Sequence, residues 1–105
     1  MDKTLGLIGL AKRAGRLVCG ESAVKEGVRF GKARLVIIAS DASDNTQKNI
    51  SDSCKYYDVN YYIAYDKDTL GHAVGNSYNA AIAITDEGFA KSIEKNLQSI
   101  INGGE

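Results

Sequence analysis

The chain has 105 residues, which is the size of one domain and too short for two. Its composition, 44% apolar and 25% charged, is typical of a folded globular protein and excludes a chain that is disordered throughout. The formal net charge is zero, but residues 1–34 hold eight Lys/Arg against three Asp/Glu, so this part carries +5 and the remainder carries −5. The asymmetry indicates one electropositive face suited to a polyanion, although charge scattered over a solvated surface would give the same numbers.

The two cysteines and the apolar segments limit the cellular context. Cys19 and Cys54 are too few for a disulfide framework and lack the spacing of a metal site. The apolar run at residues 5–11 has about half the length of a membrane span. We therefore expect two reduced thiols, no cofactor or metal, no membrane contact and a cytoplasmic location.

Helix and strand patterns alternate in the first half of the chain. A helix is predicted over residues 4–14 and ends at Gly15, a short strand follows at 16–19, and Gly20 begins a second helix that runs to about Gly31. The continuous β-branched run at 35–39 is typical of a central strand that is covered on both faces.

The second half continues the alternation. Residues 41–45 supply turn and capping chemistry before a third helix from about Thr46, and a strand is predicted at 60–65. Asp66 caps a short helix that stops near Gly75, a strand follows at 80–84, and Thr85 supplies a capping hydroxyl for the closing helix. We expect an α/β fold, a three-layer α/β/α sandwich with a small mixed four-stranded sheet, as one domain over residues 1–101 with a flexible tail at 102–105.

The start of the second helix is the candidate binding site. A helix N-terminus presents unpaired N–H groups and a partial positive charge, so cations around it favour a phosphate and hence a nucleic acid. At about 100° per residue, the polar side chains of this helix share about one third of its circumference. Together with the preceding basic cluster, the predicted site comprises Lys12, Arg13, Arg16, Gly20, Glu21, Ser22, Lys25, Arg29 and Lys32.

Other chemistry is less well supported by the sequence. The segment 27–32 has three residues between its glycines, where a phosphate loop has four, and no Ser/Thr after its lysine. His72 is the only histidine, and an exposed helical residue is the simpler interpretation than an acid–base pair with an aspartate. Of the five tyrosines at 56–65 we expect about half in the core and the others at a surface for a partner. No catalytic residue and no small-molecule substrate are predicted.

Four segments carry a resemblance to a known family. They are Leu-x-x-x-Ala-Lys-Arg-Ala-Gly-Arg-Leu-Val at 7–18, Ile-Ile-Ala-Ser-Asp-Ala-Ser at 37–43, Leu-Gly-x-Ala-x-Gly at 70–75 and Ile-Thr-Asp-x-Gly-Phe at 84–89. In this order the chain resembles the ribosomal protein family named for large-subunit protein seven-Ae, and most of all its small bacterial YlxQ-like branch, over about residues 4–97. The resemblance implies an α/β/α sandwich that binds RNA kink-turns or related internal loops with the N-terminus of the second helix, without catalysis.

The chain departs from the family pattern at the start of the second helix. The RNA-binding relatives begin this helix with Gly-x-Asn-Glu-x-x-Lys, where this chain has residues 19–25. Glu21 takes the place of the Asn, and a carboxylate can only accept hydrogen bonds where the amide also donates. It either contacts a base or pairs with Lys25 four residues on. Ser22 replaces the Glu with a shorter side chain, whereas Lys25 keeps the family's cation.

The loop after Gly75 is the second departure. Relatives present aliphatic residues to a flipped-out base there, whereas this chain has Asn76, Ser77 and Tyr78, which the resemblance adds to the predicted site. Tyr78 either stacks on a base or covers the edge of the core. The expected partner is a structured RNA, kink-turn-like or ribosomal, with the ribosome as a candidate host. The alternative is a protein-interaction module on the same scaffold.

Overall fold

A computed structural model of the chain describes residues 2–103, with side chains up to residue 100. The helices are α1 (Lys3–Arg13), α2 (Glu21–Arg29), α3 (Asp44–Tyr57), α4 (Lys67–Ala73) and α5 (Glu87–Gly103), and the strands are β1 (Leu17–Cys19), β2 (Leu35–Ile38), β3 (Tyr61–Ile63) and β4 (Ala81–Ile84). This is the predicted order of elements. Helix α5 enters the predicted tail by two residues, and the last two residues of that tail, 104–105, lie outside the described residues.

The four strands form one mixed sheet in the order β1-β4-β2-β3. Strands β2 and β3 are parallel, and β4 is antiparallel to both β1 and β2. Helices α2 and α3 pack against each other on one face of the sheet, while α1 packs against α4 and α5 on the other. The predicted three-layer α/β/α sandwich is therefore confirmed.

The core lies on both faces of the two central strands. Every residue of β2 and β4 is buried, as the unbroken apolar run at 35–39 predicts for a strand covered twice. Each helix contributes at least one fully buried apolar side chain, among them Ile8, Val24, Ile50, Leu70 and Ile93. Because apolar burial is the main driving force of folding, this alternation of apolar faces accounts for the architecture.

Several predicted boundaries were wrong by one or two residues, for local reasons. Helix α3 begins at Asp44 rather than about Thr46, because the Ser43 hydroxyl accepts a 3.1 Å hydrogen bond from the Thr46 N–H. Strand β3 ends at Ile63, and Tyr65 has a φ of 64°, which does not fit an extended strand. At the start of α5 the cap is Asp86, whose carboxylate accepts from the Phe89 N–H at 2.9 Å, and not the predicted hydroxyl of Thr85.

Candidate nucleic-acid interface

The starts of three helices meet at one edge of the sheet. Strands β1 and β4 are antiparallel, so the end of β1 lies beside the beginning of β4, and the Gly20 N–H donates a 2.9 Å hydrogen bond to the Ala81 carbonyl. Strands β2 and β3 end at the same edge, where Ile38 is in register with both Ala81 and Ile63. We call this region the α2 edge; it comprises the first turns of α2, α3 and α4 and the loop at residues 74–80.

The N-terminus of α2 has no side-chain cap. Gly20 precedes the helix with a φ of 94° and a ψ of 153°, a conformation that L side chains rarely adopt. The first-turn N–H groups of α2 therefore keep their hydrogen-bonding capacity and the positive end of the helix dipole. This end of the helix is suited to an anionic acceptor such as a phosphate.

The side chain of Glu21 is hydrogen-bonded to another residue of the protein. Its carboxylate accepts a 2.9 Å hydrogen bond from the Thr46 hydroxyl, at the start of α3. The predicted alternative, an ion pair between Glu21 and Lys25, does not form, since the salt bridge present within residues 2–100 joins Lys48 to Asp52. A contact to a residue far away in sequence has replaced the local one.

Four predicted residues share a groove between α2 and α3, namely Glu21, Ser22, Lys25 and Arg29. Glu26 and Tyr57 also line the groove, and its volume is about 550 Å³. Ser22 and Arg29 are exposed and Lys25 is half-buried. The predicted polar face of the second helix is thus brought together along this groove, with Lys32 just beyond the end of α2, where its N–H bonds the Gly27 carbonyl.

Arg13 and Arg16 do not join that face, which corrects the expectation of one converging cluster. Arg13 lines a groove between α1 and α4, in the helical layer on the opposite face of the sheet. The Arg16 carbonyl accepts from the Thr85 N–H, so Arg16 lies at the sheet edge opposite Gly20. Lys12 is exposed in the last turn of α1. Residues that are close in sequence are separated in space here, because α1 and α2 lie in different layers and β1 crosses the sheet between them.

The loop after α4 presents the other predicted residues at the α2 edge. Asn76, Ser77 and Tyr78 are exposed, and the Asn76 N–H donates to the Gly71 carbonyl at 2.8 Å. The Tyr78 side chain is 62% exposed, so of the two predicted roles the structure favours the one in which its ring is accessible. A Cβ at Gly71 would lie 2.6 Å from the Tyr78 backbone nitrogen, so only glycine allows this close approach.

Lys67 belongs to the same surface and was missed by the sequence reasoning. Its ammonium lies 5.8 Å from the centre of the Tyr78 ring. The backbone N–H of Lys67 donates a 2.8 Å hydrogen bond to the Asp41 carboxylate. Lys67 directly follows the cap residue Asp66, so the sequence alone could have placed it in the first turn of a helix. Its proximity to Tyr78, however, depends on the return of the loop towards α4.

The two cysteines of the chain are at least partly buried. Burial raises the pKa of the Cys54 thiol to about 11, and burial also raises the pKa of Cys19 against the opposing charge of Lys12, so both thiols stay protonated near neutral pH. His72 is exposed on α4. Over residues 2–103 the structure contains no cluster of His, Cys, Asp and Glu that could hold a metal ion, and none of the helices described is long and apolar enough to cross a membrane.

Comparison with known families identifies the scaffold. Residues 2–94 match the model of the Ribosomal protein L7Ae/L30e/S12e/Gadd45 family. The chain belongs to this family. The family resemblance seen in the sequence is therefore confirmed, and the match runs from α1 into the first half of α5.

Curated relatives are similar to the chain over most of their length. RNA-binding protein YlxQ of Bacillus subtilis (strain 168) is 40% identical over 87 residues, which are 83% of this chain and 87% of that protein. RNA-binding protein YlxQ of Enterococcus faecium is 35% identical over 97 residues, 92% and 93% of the two chains. Large ribosomal subunit protein eL8 of Thermoplasma volcanium is 28% identical over 101 residues, 95% of this chain and 84% of that protein.

Solved structures show the same family fold. A protein of unknown function from Bacillus halodurans C superposes with a TM-score of 0.90 at 34% identity, over 93% of this chain and 99% of that one. The Giardia lamblia 15.5kD RNA binding protein superposes with a TM-score of 0.78 over 93% and 84% of the two chains, and at 24% identity this likeness concerns the fold alone.

Proposed function

We propose that the protein binds structured RNA through the α2 edge and catalyses no reaction. The observation that carries this proposal is the hydrogen bond between Gly20 and Ala81, which places the uncapped start of α2 beside the loop that exposes Asn76, Ser77 and Tyr78. The relatives from B. subtilis and E. faecium, both named as RNA-binding proteins, support it.

The chemistry of the α2 edge favours contacts to the RNA backbone. A phosphate accepts hydrogen bonds from the first-turn N–H groups of α2, with Lys25 in the adjoining groove as counter-charge. An unstacked base lies on the exposed Tyr78 ring, which Lys67 flanks. Ser22 offers a short hydroxyl to a base edge, whereas Glu21 can only accept and its carboxylate is already bound to Thr46.

The finer proposal is an internal loop of the kink-turn type, in ribosomal RNA or another structured RNA. Splayed bases and a sharply bent backbone match a surface that combines a helix N-terminus with an accessible aromatic ring. The ribosomal subunit protein of T. volcanium among the relatives supports an association with the ribosome. We propose the cytoplasm as the location, where both thiols remain reduced.

Gel-shift titrations at several salt concentrations test the proposal. A kink-turn RNA is compared with an unrelated hairpin of equal length, and we expect tighter binding of the kink-turn. Lys25→Gln is expected to weaken binding and to reduce the slope of log K against log[salt] by about 0.7 to 0.9. Lys91→Gln on α5, in the helical layer on the other face of the sheet, is the matched control and is expected to change neither quantity.

The outcomes separate the candidate functions. Absence of binding to either RNA would remove the proposal altogether. Equal weak binding of both would remove the specific part and favour the alternative, a protein-interaction module on the same scaffold.

A further inference from the structure

Exposed aromatic rings lie at the ends of α2 and α3, two helices that pack against each other. Phe30, directly after α2, is 64% exposed, and Tyr56 and Tyr57, the last two residues of α3, are 82% and 42% exposed. The two tyrosine rings form an edge-to-face pair with centroids 4.8 Å apart. Adjacent exposed aromatics are uncommon on a monomer and indicate a surface that a partner covers.

Two arginines accompany these rings. The Arg29 guanidinium lies 5.5 Å from the centre of the Phe30 ring. Arg29, Arg34 and Tyr57 line a groove of about 280 Å³, in which Asp58 is the acidic residue. Neither arginine forms a salt bridge within the described part of the chain. We call the set Arg29, Phe30, Arg34, Tyr56 and Tyr57 the aromatic end.

The aromatic end is continuous with the proposed RNA site. Arg29 and Tyr57 also line the groove between α2 and α3, whose opposite end holds Ser22 and Lys25 at the α2 edge. A helix of nine residues is about 13 Å long, so a strand that follows this groove from the start of α2 reaches the aromatic end within a few nucleotides.

We propose that the aromatic end binds a single-stranded RNA segment that flanks the structured element held at the α2 edge. Bases stack on Tyr57, Tyr56 and Phe30, while Arg29 and Arg34 contact the phosphates. Stacking on aromatic rings tolerates any base, so this surface adds affinity without adding sequence preference. The proposal rests on the proposed function, since the structured part of the same RNA occupies the α2 edge.

An acidic peptide is the competing occupant, because tyrosine and arginine also dominate protein interfaces. The shared groove favours RNA, since one continuous ligand then covers both surfaces. The α2–α3 groove also carries Glu21 and Glu26, whose carboxylates repel phosphates. We therefore expect stacking to supply more of the added affinity than charge does.

The first test compares two RNAs with the same kink-turn core, one bare and one with single-stranded extensions at both ends. The extensions are expected to tighten binding about fivefold or more. The double variant Tyr56→Ala, Tyr57→Ala is expected to lose this gain while binding the bare core as the parent does. The matched control Tyr56→Phe, Tyr57→Phe keeps both rings and is expected to keep the gain. Extensions that leave the affinity unchanged while the core binds would overturn the inference and leave the proposed function intact.

The second test uses a short oligoadenylate alone. The chain contains no Trp and six Tyr, so stacking is read as quenching of tyrosine emission. Quenching is expected in the parent and in Lys25→Gln, and is expected to be lost in the double alanine variant. The measurement is made in a Tyr78→Phe background, so that the ring at the α2 edge gives no tyrosine emission. Quenching then reports on the aromatic end, and this arm separates failure of the aromatic end from failure of the proposed function. Binding of a glutamate-rich peptide at the aromatic end, with no quenching by the oligonucleotide, would assign the surface to a protein partner.

Discussion

The hydroxyl of Thr46 donates a 2.9 Å hydrogen bond to the carboxylate of Glu21, and this bond joins the first turns of α2 and α3. Thr46 in turn accepts from the Ser43 hydroxyl at 3.0 Å, so three side chains form a chain of hydrogen bonds at the α2 edge. A carboxylate is favourable there because both helices present their positive ends to it. Position 21 therefore holds two helices together as well as facing the proposed RNA.

Thr46→Val is expected to lower the free energy of unfolding by about 1 to 2 kcal/mol, because it removes the donor to a charged acceptor and preserves the shape of the side chain. Chemical denaturation measures the change. Thr46→Ser keeps a hydroxyl at the same place and is the control. Equal destabilisation by the Val and Ser variants would show that the hydrogen bond to Glu21 does not contribute to the stability of the fold.

Glu21→Gln is expected to bind RNA about fivefold more tightly than the parent. The side-chain carbonyl can still accept from Thr46, while the charge that repels a phosphate is gone, and one such charge a few ångströms away in water corresponds to about 1 kcal/mol. The gain is expected to shrink at high salt, where surface charges are screened. Titrations at two salt concentrations decide the point, and an affinity equal to or below that of the parent would place the RNA away from Glu21.

Gly71→Ala is expected to displace the loop at residues 76–78. The new Cβ would lie 2.6 Å from the Tyr78 backbone nitrogen and 2.8 Å from the Ser77 carbonyl carbon, and a backbone cannot yield as a flexible side chain does. We expect a loss of about 1 to 3 kcal/mol in unfolding free energy and weaker binding of RNA. Amide chemical shifts of residues 76–78 locate the change.

The control for that substitution is Gly6→Ala on α1. No atom lies within 4 Å of a Cβ built at Gly6, so the substitution has space and favours the helix. A gain of up to about 1 kcal/mol is expected. If Gly71→Ala and Gly6→Ala change the free energy of unfolding equally, the packing of Gly71 against Tyr78 does not contribute to stability.

The pair of Tyr65 and Asp2 predicts a dependence of stability on pH at both extremes. The Tyr65 hydroxyl donates a 2.7 Å hydrogen bond to Asp2, and burial together with this bond raises the pKa of Tyr65 from 10.0 to about 12. Burial acts to raise the pKa of Asp2, but the hydrogen bonds from Tyr65 and the Thr4 N–H outweigh it and the pKa falls below 3.8.

These directions set the sign of the effect. Folding favours the protonated phenol, so its stabilisation is complete below pH 10 and is lost as the pH rises towards 12. Folding favours the ionised Asp2, so that stabilisation is present above pH 3.8 and is lost as the pH falls below it. Tyr65→Phe is therefore expected to be less stable than the parent by about 1 to 2 kcal/mol near neutral pH, with the difference shrinking in acid and in alkali.

Denaturation of the parent and of Tyr65→Phe at a series of pH values measures this difference. Tyr56→Phe is the control, because Tyr56 is 82% exposed and its substitution is expected to change nothing at any pH. A gap that stays constant from acid to alkali would mean that the phenol and the carboxylate do not interact in solution.

The sequence was a good guide to the elements and a poorer guide to their ends. The run at 35–39 is apolar without alternation, and only a strand covered on both faces explains that pattern, so β2 was predicted correctly. Thr85 and Asp86 are both able to cap a helix, and the residue that does so depends on the direction in which the chain leaves β4. Local patterns specify that a helix begins, but the exact cap depends on the path of the backbone.

By itself, the sequence determined the order of elements, the layered architecture and the family, because each depends on apolar periodicity and short motifs along the chain. Only the tertiary structure decided which charges share a surface. It placed Lys25 and Arg29 on one groove and Arg13 on the opposite face of the sheet. It also joined Glu21 to Thr46 and not to Lys25, its neighbour four residues on. These outcomes depend on how layers stack across the sheet, and the distance between two side chains in different layers has no counterpart in their spacing along the chain.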